Sequence, residues 1–218
     1  MLSVFWIFTF SLSIFIAGII AIIRFTEINN AYNPFLFCIW FACINELFSF
    51  ILFRIHYSSE IHINIYVLFE SLLIITLFKK LKYLNRPKYL YHAILTSLIF
   101  VWFLENFVFG KITTTGIYFS LYYSFIIVLI SISSINILIA SARKFLIKNS
   151  IFLLCLGFIL YFTYKVLVYS FWMYGLNSKE GFLLKIFTIM SFINLIANLI
   201  YALAVLWMPR KIEYTQPY

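Results

Sequence analysis

Polar residues are sparse along this chain, and where they gather they divide it into seven apolar runs. The runs are approximately Leu2–Ile23, Pro34–Phe53, Ile61–Phe78, Tyr89–Phe109, Ile112–Ala140, Ser150–Tyr174 and Gly181–Trp207. About 20 apolar residues rising ~1.5 Å each cross a ~30 Å hydrocarbon layer as a helix. Each run is therefore read as a membrane-spanning helix, the third being the shortest and carrying Glu70. Asn33-Pro34 suits a helix start with proline in the first turn, Asn85-Arg86-Pro87 punctuates a loop, and Pro209 stops the last run. No proline falls inside a span, so no proline kink is expected. Met1–Ile23 lacks a basic leader and a small-residue cleavage site, and is read as a retained first helix. The pattern predicts one domain over residues 1–218, an all-α membrane fold: a seven-transmembrane-helix bundle.

Composition agrees with the pattern, and charge adds an orientation. The chain is 65% hydrophobic with 11% charged residues, against about a quarter charged in soluble domains. A net charge of +9 would suit nucleic acid, but the basic residues cluster in short loops between apolar runs. With the amino terminus outside, the inner segments hold eleven lysines and arginines: Arg24, Lys79, Lys80, Lys82, Arg86, Lys88, Arg143, Lys144, Lys148, Arg210 and Lys211. The outer loops hold three, Arg54, Lys111 and Lys179. Positive charge stays on the cytoplasmic side of membranes. The expectation is a multi-pass protein of the inner (plasma) membrane, amino terminus outside, carboxyl terminus inside. The loop with Lys79, Lys80, Lys82, Arg86 and Lys88 would meet anionic lipid headgroups or a cytoplasmic partner. No nucleic-acid partner is expected.

Ionisable side chains inside the spans carry the candidate chemistry. Lys165 lies well within the sixth run, where an unpaired ammonium costs roughly 2.5–3.5 kcal/mol or more. It needs a partner, and Glu46 and Glu70 are the acids at comparable depth. Asn45 adjoins Glu46, and Tyr66 sits one helical turn from Glu70. Tyr161, Tyr164 and Tyr169 share a broad face with Lys165. In the last run Lys185, Thr188, Ser191, Asn194, Asn198 and Tyr201 recur at spacings of three and four, which aligns them on one face. The expected polar cluster or ligand site is thus Glu46, Glu70, Lys165, Asn45, Tyr66, Tyr161, Tyr164, Tyr169, Lys185, Asn194 and Asn198, open to the outside. Glu105 and Lys185 lie one turn below the outer surface and are expected at its rim, with simple extension to the interface as the plain alternative. The plain alternative for the deep charges is a structural ion pair that fixes helix register.

Catalytic and metal motifs are missing. The chain contains no Asp, which removes aspartyl chemistry and Asp-rich Mg²⁺ sites, and it contains neither GxSxG nor HExxH. Lys79 with Arg86-Pro87 matches the first part of a lipid phosphatase signature, whose His and Asp are lacking. Lys185 sits too near the outer end, with no Asp counterion before it, for a retinal protein. Cys38, Cys43 and Cys155 fall in apolar runs and read as core. His56, Glu60 and His62 are too irregularly spaced for a metal site. No cofactor or metal is expected.

Two stretches carry a resemblance: Asn64-Ile65-Tyr66-Val67-Leu68-Phe69-Glu70, and Phe192 to Val205, FINLIANLIYALAV. In layout and in these residues the chain resembles small uncharacterised seven-helix integral membrane proteins of Bacteroidetes-type bacteria. The resemblance implies placement in a membrane and a Tyr66–Glu70 polar pair, and no mechanism. The functional reading placed first is a receptor- or sensor-like bundle with an outward-facing pocket for a small ligand. The others are a small transporter or ion or proton path, a lipid-modifying enzyme, and a structural subunit of a membrane complex.

Overall fold

The computed structural model describes residues 10–55, 60–84, 87–141, 146–174 and 180–211. His56, Arg86, Arg143, Lys144, Lys179 and the start of the first predicted run, Leu2–Thr9, lie outside the described residues. Among the described residues, seven α-helices carry the fold: α1 Ile14–Arg24, α2 Asn33–Arg54, α3 Glu60–Lys80, α4 Leu90–Phe103, α5 Ile117–Ser141, α6 Ser150–Met173 and α7 Glu180–Leu206. Among the described residues, six are long and apolar enough to cross a membrane, and the described part of the first run, Ile14–Arg24, is shorter.

One helix boundary and one helix type differ from the apolar pattern. The fourth run does not stay α-helical to its end but widens into a π-helical turn over Leu104–Phe109. The fifth helix begins at Ile117 rather than Ile112, because Asn64 in α3 holds the preceding loop. Its Nδ2 donates to the carbonyls of Ile112 (2.9 Å) and Thr114 (2.8 Å), and its Oδ1 accepts from the Gly116 amide (3.1 Å). Elsewhere local chemistry sets the ends as usual. Asn149 caps α6, its Oδ1 accepting from the amides of Ile151 (2.9 Å) and Phe152 (3.3 Å). α3 ends with Lys82 in the left-handed region (φ 69°) and Tyr83 N donating back to Phe78 O at 3.0 Å. Burial holds the Tyr83 phenol above its ordinary pKa, so it stays neutral beside this turn.

The helices form a closed ring. α1 packs against both α2 and α7, α7 against α6, α6 against α5, and α3 joins α2 to α5, with α4 lying outside against α3 and α5. Helix ends gather at two faces. At one, Tyr32 OH lies 3.1 Å from Ser150 Oγ, and Lys80 Nζ donates to Asn30 O at 3.5 Å. At the same face Arg24 clamps the end of α7, donating to the carbonyls of Val205 (2.6 Å), Leu206 and Met208 (3.2 Å). Glu27 Oε2 lies 3.3 Å from Arg210 Nε and 3.8 Å from Arg24 Nε, and an antiparallel bridge joins Ile28 to Arg210. This is the basic end. The Asn64 loop lies at the opposite end.

An aromatic floor closes the ring above the basic end. The rings of Phe35 (α2), Phe158 (α6) and Tyr201 (α7) lie 5.5 to 5.8 Å apart, and Phe78 (α3) packs on Phe158 at 6.0 Å. Gly157 makes this possible: a Cβ there would stand 2.5 Å from Tyr201 Cε1, so only glycine lets α6 and α7 close on that ring.

Candidate ligand-binding cavity

Above the floor the ring encloses a cavity of about 450 Å³. It reaches from Phe35, Phe158 and Tyr201 to Ser11, Ser49, Thr115 and Trp172, which lie toward the opposite end. Glu46, Glu70, Lys165, Asn45, Tyr66, Tyr161, Tyr169, Asn194 and Asn198 all line it. These residues come from α2, α3, α6 and α7, so the ring, rather than any one helix, assembles the site.

A buried charge pair crosses the interior. Lys165 Nζ is 3.8 Å from Glu70 Oε2, and the two side chains are 7% and 9% exposed. Two phenols complete the acid's shell: Tyr66 OH donates to Oε1 at 2.9 Å and Tyr123 OH donates to Oε2 at 2.8 Å. Lys165 in turn donates to the Tyr123 oxygen, so Tyr123 bridges the two charges. The ammonium also lies 4.9, 5.6 and 5.8 Å from the ring centroids of Tyr123, Tyr161 and Phe162. Aromatic faces and phenol dipoles stand in for the water that both ions have lost.

The two acids at comparable depth have different fates. Glu70 takes the lysine. Glu46, half-buried on α2, lines the cavity with no hydrogen-bond or ion-pair partner among the described residues. Its neighbour Asn45 has a buried Oδ1 that is likewise unpartnered. The cavity wall thus carries a neutralised pair on one side and open acceptors on the other. Asn198 Nδ2 is used within the protein, donating to Ser13 Oγ at 2.9 Å and joining α7 to the segment before α1.

Three expected members of the site lie elsewhere. Tyr164 is turned into the α6–α7 seam, where its OH donates to Ile186 O at 3.3 Å. Lys185 is exposed on α7, because an ammonium so near a helix end reaches water by extending its stem. Glu105 is no part of the cavity rim: its oxygens accept from the amides of Tyr118 (2.9 Å) and Phe119 (2.5 Å). The turn at Gly110 brings the start of α5 back over the end of α4, and the free amides of a first turn draw a carboxylate. Conversely, Tyr123 is central and stands outside the expected cluster. Its signal was present: Ser120, Tyr123, Ser124, Ser131 and Ser134 fall on one helical face, and all are buried.

Compared with family models, curated proteins and solved structures, the chain matches none. Its class rests on its own helices: it is a multi-pass helical integral membrane protein.

Proposed function

We propose that this membrane protein is a receptor- or sensor-like seven-helix bundle whose central cavity takes a small ligand from outside the cell. In this reading the amino terminus faces out and the basic end lies in the cytoplasm, at the plasma membrane. One observation carries it: a cavity of about 450 Å³ above the packed Phe35, Phe158 and Tyr201 rings, walled by Glu46, Asn45, Tyr161 and Tyr169. That volume falls within the range of small-molecule sites. The ligand would act by favouring one of two ring arrangements, with the Glu70–Lys165 pair as the register between α3 and α6. On the inner face Lys82 and Lys88 are exposed and suit anionic headgroups, while Lys79 is engaged over the Tyr91 ring at 3.8 Å.

The test is directional. In intact cells Ser49→Cys should react with a membrane-impermeant thiol reagent added outside, and a ligand soaked into the cavity should protect it. Labelling solely from the cytoplasmic side of inverted vesicles would overturn the orientation and the outward opening together. A second reading, a proton-coupled path, draws on the continuous hydrogen-bonded chain Lys165–Tyr123–Glu70–Tyr66. Proton or substrate flux into reconstituted vesicles that Glu70→Gln stops would favour that reading.

A further inference from the structure

A second, smaller cavity of about 160 Å³ opens between α2 and α3. Its rim is apolar and turned outward: Ile44 is 58% exposed, Phe48 52% and Ile65 38%. In a membrane protein such a rim faces acyl chains. Asn45 and Tyr66 line this cleft and the central cavity alike, so these two side chains are the shared wall between bilayer and interior. The wall carries unsatisfied polar atoms, which hydrocarbon tolerates poorly. Among the described residues Asn45 Oδ1 has no partner, and neither does His62 Nδ1 within the cleft. Tyr66 is fixed, its ring stacked on Phe41 (5.6 Å, 22°) and its OH committed to Glu70. Asn45 is therefore the movable half of the wall.

The charge pattern states what would cross it. Lys165 is already matched by Glu70, so an anion would have to break a buried ion pair to gain a cation. Glu46 and Asn45 offer acceptors with no donor among the described residues. Tyr161, Tyr169 and Trp172 also line the cavity, and aromatic side chains suit an ammonium and an apolar body. Taking the central cavity as a ligand site, we propose that its ligand is a membrane-dissolved amphiphile with a cationic amine head. It reaches this outward-facing cavity from the outer leaflet, passing sideways between α2 and α3, and its ammonium is taken up by the Glu46 carboxylate beside Asn45.

The experiment uses the full chain in nanodiscs with a photoactivatable long-chain alkylamine. Fatty-acid and long-chain alcohol analogues of the same length serve as comparators, and crosslinks are located by mass spectrometry. The amine should label peptides of the Asn45–Glu46 and Tyr161–Tyr169 segments. Glu46→Gln should cut that labelling about tenfold or more, the loss expected for a charge-assisted hydrogen bond. Glu46 bonds nothing among the described residues, so this variant should melt at the parent's temperature. Asn45→Trp, which plugs the shared wall, should slow labelling from the bilayer. Cavity labelling by the fatty acid or alcohol in preference to the amine, or amine labelling unchanged in Glu46→Gln, would overturn the amine assignment while leaving the cavity a ligand site. Unchanged labelling rates in Asn45→Trp would overturn the sideways route. Absence of cavity labelling by all three probes would remove both this inference and the ligand-site reading on which it rests.

Discussion

Replacing Lys165 with Met strands Glu70 in the interior with two phenols and no cation. At 3.8 Å the pair's attraction is about 4 kcal/mol in an effective dielectric near 20. Removing one member of a buried pair costs about 3–5 kcal/mol in general, because the other ion stays desolvated. Here Tyr66 and Tyr123 continue to donate to the carboxylate, at 2.9 and 2.8 Å, which holds the cost toward the lower end. We expect Lys165→Met and Glu70→Gln each to lower stability by about 3 kcal/mol. The double variant, with both charges gone, should lose less than the sum of the two, with a coupling of about 2–3 kcal/mol. Reversible unfolding of the purified protein in mixed micelles, run as a double-mutant cycle, reads all three values. Single losses within about 0.5 kcal/mol of the parent, or strict additivity in the double, would refute the claim that this pair holds α3 to α6.

Three further outcomes follow from local geometry. Gly157→Ala places a methyl 2.5 Å from a Tyr201 ring already packed against Phe35 and Phe158, and should cost about 1–3 kcal/mol in the same unfolding assay. Glu105→Ala removes the acceptor for two amides at the start of α5; stability should fall by about 1 kcal/mol, with faster hydrogen exchange at Tyr118 and Phe119. Lys82→Gly relieves a left-handed non-glycine residue in an exposed turn and should raise stability by about 1 kcal/mol; a loss instead would mean the lysine side chain contributes there.

The helices were legible because hydrocarbon leaves the backbone few alternatives to internal hydrogen bonding, so apolar length alone marks a span. The pairing was legible only as a demand. Lys165 had to meet an acid, but Glu46 and Glu70 stand at similar depth on neighbouring helices, and nothing in spacing ranks them. The choice was made by Tyr66 and Tyr123, which supply Glu70 with two donors that Glu46 lacks. Tyr123 is absent from the expected cluster for a related reason: tyrosine suits membrane interfaces and interiors equally, and only its serine-flanked face marks it as inward. Glu105 and Lys185 sit within a turn or two of a helix end, where burial, capping and reaching water differ by a few ångströms that only tertiary packing decides. The π-turn at the end of the fourth span leaves no mark in hydropathy, which gives a span's length and not its hydrogen-bond register.

The Arg24 clamp bears on how the molecule is made. The first described helix finds a principal neighbour in the last one, and its guanidinium grips carbonyls that leave the ribosome some 180 residues later. Until then α1 has α2 alone beside it, and the barrel of staves stands open along one seam. Insertion and sealing are thus separate events in time, and the hollow interior is exposed to lipid until synthesis of α7 is finished.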